Sequence, residues 1–122
     1  MTKIIPIYTT KGDAEAFLVY PYIYNRIGEW IGWITPEKEI YSVIGHYVGF
    51  LAKGPRILRK RAIEVATTRK RSPAKPSKVY PPATVALAPM MPELNHSDID
   101  VLLDEPERLH PSDSGEFRDD LD

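Results

Sequence analysis

The side chains that could support catalysis in this chain are few and scattered. Its three histidines are His46, His96 and His110, and it contains no Cys. A metal site needs several ligands that converge from rigid elements, and three separated histidines do not provide them. Ser97, His96 and Asp98 offer the residue types of a hydrolase triad, but they lie in a segment predicted below to be disordered, which cannot hold the geometry that catalysis requires. The sequence therefore predicts no enzyme, no catalytic residue, no metal site and no cofactor.

Aromatic residues and prolines occupy different parts of the chain. Ten of the twelve Phe, Trp and Tyr residues lie between Tyr8 and Phe50, and eight of the twelve prolines lie at or after Pro73. An apolar core can form only in the first part, so we expect one folded domain at residues 3–68. A domain this small is marginal alone, and we expect self-association or a protein partner to support it.

No segment of the sequence directs the chain to a membrane or out of the cell. The first residues lack the basic stretch and apolar run of a signal peptide, and no apolar stretch approaches the roughly 20 residues of a membrane span. The absence of Cys also suits a reducing compartment. The sequence predicts a cytoplasmic protein without membrane contact.

A motif recurs four times in the predicted domain. Residues 23–34 match residues 40–51 at an offset of 17, with the letters IYNRIG and WIGWI in one and IYSVIG and YVGFL in the other. A weaker copy precedes them from Ile7, and another follows from Ile57. Two series of small residues keep the register across the copies. The first series is Gly12, Gly28, Gly45 and Ala62, and the second is Ala16, Gly32, Gly49 and Ala66.

Each copy has the pattern of a β-hairpin. Its first arm, such as Tyr24 to Ile27, alternates and is rich in aromatic and β-branched residues. The first small series suits a tight turn with positive φ, and the second marks a bulge or a close backbone approach in the returning arm. The aromatic series Phe17, Trp33 and Phe50 is predicted to be core, with an exposed docking patch as the alternative. The predicted fold class is all-β, with four short β-hairpin repeats in a pseudo-four-fold arrangement followed by a disordered tail.

The repeated Ile-Tyr-x-x-x-Gly-x-x-x-Gly-x-Leu unit resembles a family of bacterial domains called four-fold β flower. The resemblance covers residues 4–68 and implies four short hairpins around a pseudo-four-fold axis. The fourth unit departs from the pattern, since Arg59, Lys60 and Arg61 replace apolar residues. The family has no established activity, so the resemblance implies no catalytic residues and no cofactor.

The net charge of −1 conceals two oppositely charged segments. Residues 53–78 contain ten basic residues and one acidic residue, whereas residues 93–122 contain two basic and eleven acidic residues. A basic cluster of this density is typical of contacts with nucleic acid or another anion. The alternative is a solvated face that neutralises the acidic segment. The candidate anion or nucleic-acid contacts are Arg56, Arg59, Lys60, Arg61, Arg69, Lys70 and Arg71.

Beyond the domain we predict a basic, proline-rich linker at residues 69–82 and a disordered, mostly acidic tail at residues 83–122. Two apolar segments interrupt this tail. Residues 83–91 could add as a strand to a sheet edge, their own or a partner's, or could be a weakly adhesive linker. Residues 98–105, with a capping box that starts at Ser97, predict a short helix that folds into a partner's groove, with plain disorder as the alternative. The candidate partner-binding residues are Val85, Leu87, Met90, Met91, Ile99, Leu102 and Leu103.

Two functional hypotheses follow from these features. The first is a non-enzymatic protein-interaction or assembly module, in which a small β scaffold carries a partner-binding tail. The alternative is a nucleic-acid-associated accessory protein that uses residues 53–78 and is inhibited by its own acidic tail. The first requires a protein partner or a second copy of the chain, and the second requires a nucleic acid.

Overall fold

The structure is a computed structural model and describes residues 3–61, 70–77 and 79–111. Its main element is an antiparallel sheet, curled into a half-barrel, whose eight strands pair in the order in which they occur along the chain. The strands are β1 (Ile5–Tyr8), β2 (Ala14–Val19), β3 (Tyr22–Asn25), β4 (Trp30–Ile34), β5 (Glu39–Ser42), β6 (Tyr47–Ala52), β7 (Arg56–Lys60) and β8 (Asp98–Asp100). A short helix, α1 (Val101–Asp104), and a 3-10 turn (Pro106–Arg108) follow β8.

The first three hairpins have the same turn. In hairpin 2 (β3 and β4), the N–H of Gly28 donates to the carbonyl of Asn25 at 3.1 Å, and the N–H of Asn25 donates to the carbonyl of Glu29 at 2.9 Å. Hairpin 1 (β1 and β2) and hairpin 3 (β5 and β6) repeat both hydrogen bonds around Gly12 and Gly45. All three glycines have φ between 89° and 94°, which side chains with a Cβ adopt only at a cost. The predicted glycine turns are confirmed, and the fourth member of the series lies outside the described residues.

Each of these hairpins also contains a bulge in its second arm. In hairpin 2 the register shifts between Ile23 and Tyr24, which leaves Ile31 as an extra residue. Hairpins 1 and 3 shift at the same place, with Glu15 and Val48 as the extra residues. A bulge bends its strand and increases the local twist, so its repetition curls the sheet. The bulge predicted from the second small series is confirmed.

The core repeats in the same way as the strands. One position of the four copies is occupied by fully buried isoleucines, which are Ile7, Ile23, Ile40 and Ile57. These side chains form one cluster with Val48 and with Val101 and Leu109 from the C-terminal part of the chain. The repeat therefore fixes most of this cluster, but residues after β8 complete it.

A second buried cluster is aromatic. The rings of Trp33 and Tyr41 are stacked with their centroids 5.0 Å apart, and Tyr47 packs edge-on against Tyr41. Phe17 and Trp33 are 5% and 9% exposed. Phe17 and Trp33 are therefore buried, as predicted, whereas Phe50 is partly buried; none of the three is an exposed docking patch.

Hairpin 4 is completed by a distant part of the chain. Its first arm, β7, pairs antiparallel with β8, in a register that places Leu58 opposite Asp100 and Arg59 opposite Ile99. The second arm that the repeat predicts, at residues 65–66, lies outside the described residues. The carboxyl-terminal part of the chain therefore contributes the eighth strand of the sheet.

The predicted domain boundary at residue 68 and the predicted disorder of residues 83–122 are wrong for residues 98–109. Val101 and Leu109 are at most 5% exposed and belong to the same cluster as the repeated isoleucines. Residues 112–122 lie outside the described residues. The predicted domain is too short because side chains that complete its core come after the proline-rich segment.

The helix predicted from Ser97 begins later than expected. Asp98–Asp100 form a strand, and the helix covers Val101–Asp104, with Asp100 as an N-cap residue that makes no side-chain capping hydrogen bond. A helix of one turn is unstable by itself, whereas pairing with β7 satisfies backbone groups of the segment. Tertiary pairing therefore overrides the local capping signal, and Pro106 follows the helix as predicted.

We expect Ile23→Ala to lower the free energy of unfolding by about 2–5 kcal/mol, because it removes buried methyl groups and leaves a cavity. Ile27→Ala is the matched control, since Ile27 is 61% exposed, and it should change that free energy by less than about 0.5 kcal/mol. Equilibrium unfolding in urea measures both variants. Equal losses of stability in the two would contradict the burial described for hairpin 2.

Candidate interaction surfaces

Residues 70–77 and 79–95, here called the belt, run back over the hairpins without forming a helix or a strand. The belt passes the turns of hairpins 3, 2 and 1 in that order, and its contacts are nine residues apart. The contacting pairs are Lys70 with Gly45, Val79 with Gly28, and Ala88 with Gly12. In the first two pairs the belt N–H donates to the glycine carbonyl, at 2.8 and 3.3 Å. The belt therefore follows the hairpin repeat in reverse order.

Two tyrosines at equivalent positions of the repeat also bind the belt. The hydroxyl of Tyr24 donates to the carbonyl of Ser77 at 3.2 Å, and the hydroxyl of Tyr8 donates to the carbonyl of Ala86 at 2.7 Å. The two acceptors are again nine residues apart. All these bonds use main-chain groups of the belt, so they do not occupy its side chains.

The third equivalent tyrosine, Tyr41, makes a different contact. Its hydroxyl donates to Oε1 of Glu39 at 3.1 Å. Burial, followed by the hydrogen bond to Glu39 and the charge of that carboxylate, raises the pKa of Tyr41 to about 12. The ammonium group of Lys70, at the start of the belt, lies 5.8 Å from the centroid of the same ring.

Gly28 and Gly45 permit the close approach of the belt as well as the positive φ of the turns. A Cβ at Gly28 would lie 1.9 Å from the carbonyl oxygen of Val79, and a Cβ at Gly45 would lie 2.0 Å from that of Lys70. Both distances are far below van der Waals contact, so only glycine permits the observed approach. At Gly12 the nearest atom to such a Cβ would be 3.8 Å away, which is an ordinary contact.

The belt ends where β8 joins hairpin 4 to hairpin 1. Asp100 is fully buried, and its Oδ2 accepts hydrogen bonds from the N–H of Thr10 at 2.6 Å and from the hydroxyl of Thr10 at 2.5 Å. Arg56, which is 3% exposed, donates to the same hydroxyl oxygen at 3.0 Å and to the carbonyl of Pro92 at 2.6 Å. The cluster thus connects the turn of hairpin 1, strand β7 and the end of the belt.

Comparison with protein families gives one match. A family model described as 4-fold beta flower protein matches residues 5–112. The chain belongs to this family. The match extends beyond the hairpins through the belt, β8 and α1, and the family's description names a fold and no activity. Comparisons with curated proteins and with solved structures found no match.

The β flower exposes apolar side chains of its belt to solvent. Leu87 and Met90 are 95% and 101% exposed, and Val85 is 38% exposed. The main chain on both sides of them is hydrogen-bonded to the hairpins, at Ala86 and Pro92. Residues 83–91 do not form a strand, so the predicted strand addition to the chain's own sheet is wrong.

Three of the other candidate partner-binding residues contact the β flower itself. Met91 lies against Gly54, where its Sδ would be 2.7 Å from an added Cβ. Ile99 is 8% exposed in β8, and Leu102 packs partly buried against the core, whereas Leu103 is 36% exposed. The segment at residues 98–105 is therefore used largely within the chain.

Much of the basic segment is paired inside the β flower. Arg59 is 5% exposed, and its guanidinium donates two hydrogen bonds to the carboxylate of Glu105. The ammonium group of Lys60 lies 3.5 Å from Oδ1 of Asp98. Arg59 and Lys60 therefore bring the basic segment against the acidic one, whereas Arg56 binds Thr10 and Pro92. The buried guanidinium groups of Arg56 and Arg59 are not accessible to a nucleic acid.

The other predicted anion contacts lie at the surface. Arg61 is exposed, and its Nε donates to the carbonyl of His96 at 2.9 Å. Lys70 and Arg71 are exposed at the start of the belt. Arg69 lies outside the described residues. The exposed members of the candidate anion contacts therefore lie at two places, at the end of β7 and at the start of the belt.

The histidines form no metal-binding cluster within the described part of the chain. His46 and His110 line one cavity of about 330 Å³. No group of three or more His, Asp or Glu residues in residues 3–61, 70–77 and 79–111 is placed to hold a metal ion. The hydroxyl of Ser97 donates to Oδ1 of Asn95 at 3.2 Å. The same ranges contain no helix that is long and apolar enough to cross a membrane.

We expect Gly28→Ala to release the belt from hairpin 2, because its Cβ would meet the carbonyl of Val79. Gly12→Ala is the matched control, since it imposes the same positive φ on alanine but leaves room for the belt. Both variants should lose about 1–2 kcal/mol of stability from backbone strain. In two-dimensional NMR spectra, the amide of Val79 should shift toward its unfolded position in Gly28→Ala alone. The same shift in both variants would show that the belt does not depend on Gly28.

The ion pair of Arg59 and Glu105 should make stability depend on pH. Hydrogen bonds from Arg59, and then from Arg108, lower the pKa of Glu105, against an opposing effect of burial. A carboxyl whose pKa is lower in the folded state stabilises the fold above its unfolded pKa, and this contribution is lost as the pH falls through its folded pKa.

We therefore expect Glu105→Gln to be less stable than the natural chain at pH 7, by about 1–3 kcal/mol, because Arg59 remains buried without a carboxylate. The difference should shrink at about pH 3, where a glutamate carboxyl of the unfolded chain is largely protonated. Urea unfolding at both pH values measures it, with Glu107→Gln as an exposed control. A difference that is absent at pH 7, or equal at both pH values, would contradict the assigned role of Glu105.

Proposed function

We propose that this β flower is a protein-interaction module without enzymatic activity, whose belt presents Leu87 and Met90, with Val85 beside them, to a protein partner. The observation that supports this proposal most directly is that the main chain of this part of the belt is hydrogen-bonded to the hairpins, while these two side chains face solvent. Leu87 and Met90 are almost fully exposed, whereas Ala86 and Pro92 are hydrogen-bonded to the hairpins.

Such an arrangement suits binding for an energetic reason. Association normally costs conformational entropy, because loops and side chains at the interface must be ordered. The main chain of the belt is already ordered by the fold, so less entropy is lost on binding. Burial of Leu87 and Met90 would therefore yield a higher affinity than burial of the same side chains on a disordered segment. Exposed apolar side chains such as Leu87 and Met90 also mark a surface that gains by being covered.

The alternative function, nucleic-acid association, has less support. Two of its seven candidate residues, Arg56 and Arg59, are buried in contacts with the protein itself. Lys60 is paired with Asp98. Lys70 and Arg71 remain exposed at the start of the belt, and the exposed aromatic side chains among the described residues are Tyr20 and Tyr80.

Site-specific photo-cross-linking in the source cells tests the proposal. A benzophenone side chain at position 87 should cross-link one protein efficiently, whereas the same group at position 84, an exposed polar site of the same belt, should not. The cross-linked protein is then purified, and its affinity for the natural chain and for the Leu87→Ser, Met90→Ser double variant is measured by calorimetry.

We expect the double variant to bind at least about tenfold more weakly, because exposed apolar anchors of this kind dominate interface energies. Its stability should be unchanged, since both side chains contact water in the free protein. Equal cross-linking at positions 87 and 84, or equal affinity of the two proteins, would contradict the proposal.

A further inference from the structure

Tyr20 stands between two cavities that the belt borders. The first, of about 420 Å³, is lined by Ile4, Val19, Tyr20, Tyr22, Tyr24, Pro76, Ser77 and Val79. The second, of about 450 Å³, has Tyr20, Pro21, Trp33 and Pro36 on the hairpin side and Lys70, Arg71 and Pro73 on the belt side. We propose that the two cavities form one docking groove for an extended, proline-rich segment of a partner protein.

The ring of Tyr20 is the first argument for this groove. It is 60% exposed, whereas the other aromatic residues of the hairpins are buried or partly buried. It lies in the link between β2 and β3, outside both buried clusters. An aromatic side chain that adds nothing to the core and separates two cavities is placed to pack against a ligand on both of its faces.

The walls of the two cavities favour proline-rich chains over other ligands. Both contain aromatic side chains, Tyr22 and Tyr24 in the first and Trp33 in the second, and the first cavity has no charged residue in its lining. Aromatic-lined grooves of this kind bind polyproline II segments, which are stiff and lose little entropy on binding. Such a helix repeats every three residues, so alternate prolines can enter cavities on the two sides of one ridge.

The chain already binds its own proline-containing segment on the same wall. Pro76 lines the first cavity, and the hydroxyl of Tyr24 donates to the carbonyl of the next residue, Ser77, at 3.2 Å. Pro73 lines the second cavity in the same way. A hydroxyl that binds a main-chain carbonyl beside a proline ring is the contact that a partner's segment would reproduce with the neighbouring tyrosines.

Charged residues at one end of the groove would fix the orientation of a bound segment. Lys70 and Arg71 lie at the belt side of the second cavity, and Glu37 is the acidic residue in its lining. Both basic residues are exposed. An acidic residue at one end of the proline-rich segment would pair with Arg71 and fix which end enters the second cavity. This groove shares no residue with the surface of Val85, Leu87 and Met90, so the two proposals fail or succeed separately.

Fluorescence anisotropy with labelled peptides tests the groove on the full-length chain. The probes are an octaproline with two N-terminal Asp residues, the same peptide with two Lys residues, a Gly-Ser peptide of equal length, and a peptide of this chain's residues 70–82. The variants are Tyr20→Ala, Arg71→Glu and, as a control of equal exposure, Ile27→Ala, because Ile27 lines neither cavity.

We expect the Asp-octaproline to bind saturably, to bind several times more tightly than the Lys form, and to lose at least about tenfold in affinity with Tyr20→Ala but not with Ile27→Ala. Arg71→Glu should reverse the preference between the Asp and Lys forms. The proposal is overturned if no proline peptide binds by about 1 mM, if the Gly-Ser peptide binds equally, or if the two alanine variants behave alike. Binding of the 70–82 peptide alone would also overturn it, since the occupant would then be a second copy of this chain.

Discussion

The carboxylate of Asp100 in β8 binds Thr10 in the turn of hairpin 1. A fully buried carboxylate is costly unless it is hydrogen-bonded, and Oδ2 of Asp100 finds two donors on Thr10, at 2.6 and 2.5 Å. Arg56 binds the same threonine, so hairpins 1 and 4 meet at this point. These bonds exist only when β8 is paired with β7. The eighth strand of the sheet, the end of the belt and the completion of the core by Val101 and Leu109 all depend on that pairing.

The path of the belt follows from the pairing of β7 with β8. The chain leaves hairpin 4 after β7 and returns to it as β8, and the belt between them passes hairpins 3, 2 and 1. The contacts with the turns use main-chain groups of the belt, and both surfaces proposed for partners are built on or beside it. The same pairing brings the two oppositely charged segments together, since Arg59 on β7 binds Glu105 after β8.

The hairpins could be predicted from the sequence because their signals are local. The spacing of glycines, of β-branched residues and of the aromatic series defines turns, bulges and buried faces within one repeat. Strand β8 could not be predicted in this way. It has three residues, two of them Asp, a residue depleted in strands, and it forms because β7 has an open edge and Thr10 offers donors. The belt has the composition of a disordered linker, and only its fixed contacts with the turns distinguish it from one. The sequence could mark Leu87 and Met90 as candidate contacts, because they belong to one short apolar segment. It could not predict the groove at Tyr20, because the walls of the groove come from separate elements.

Amide hydrogen exchange across residues 98–101 tests the central claim most directly, that the C-terminal strand completes the fourth hairpin. If β8 is part of the cooperative unit, its amides exchange only when the whole domain unfolds. We therefore expect residues 98–101 to be protected as strongly as the amides of β5, and to gain exchange in parallel with them as urea is added. Fast exchange of residues 98–101 in a domain whose β5 remains protected would contradict the account.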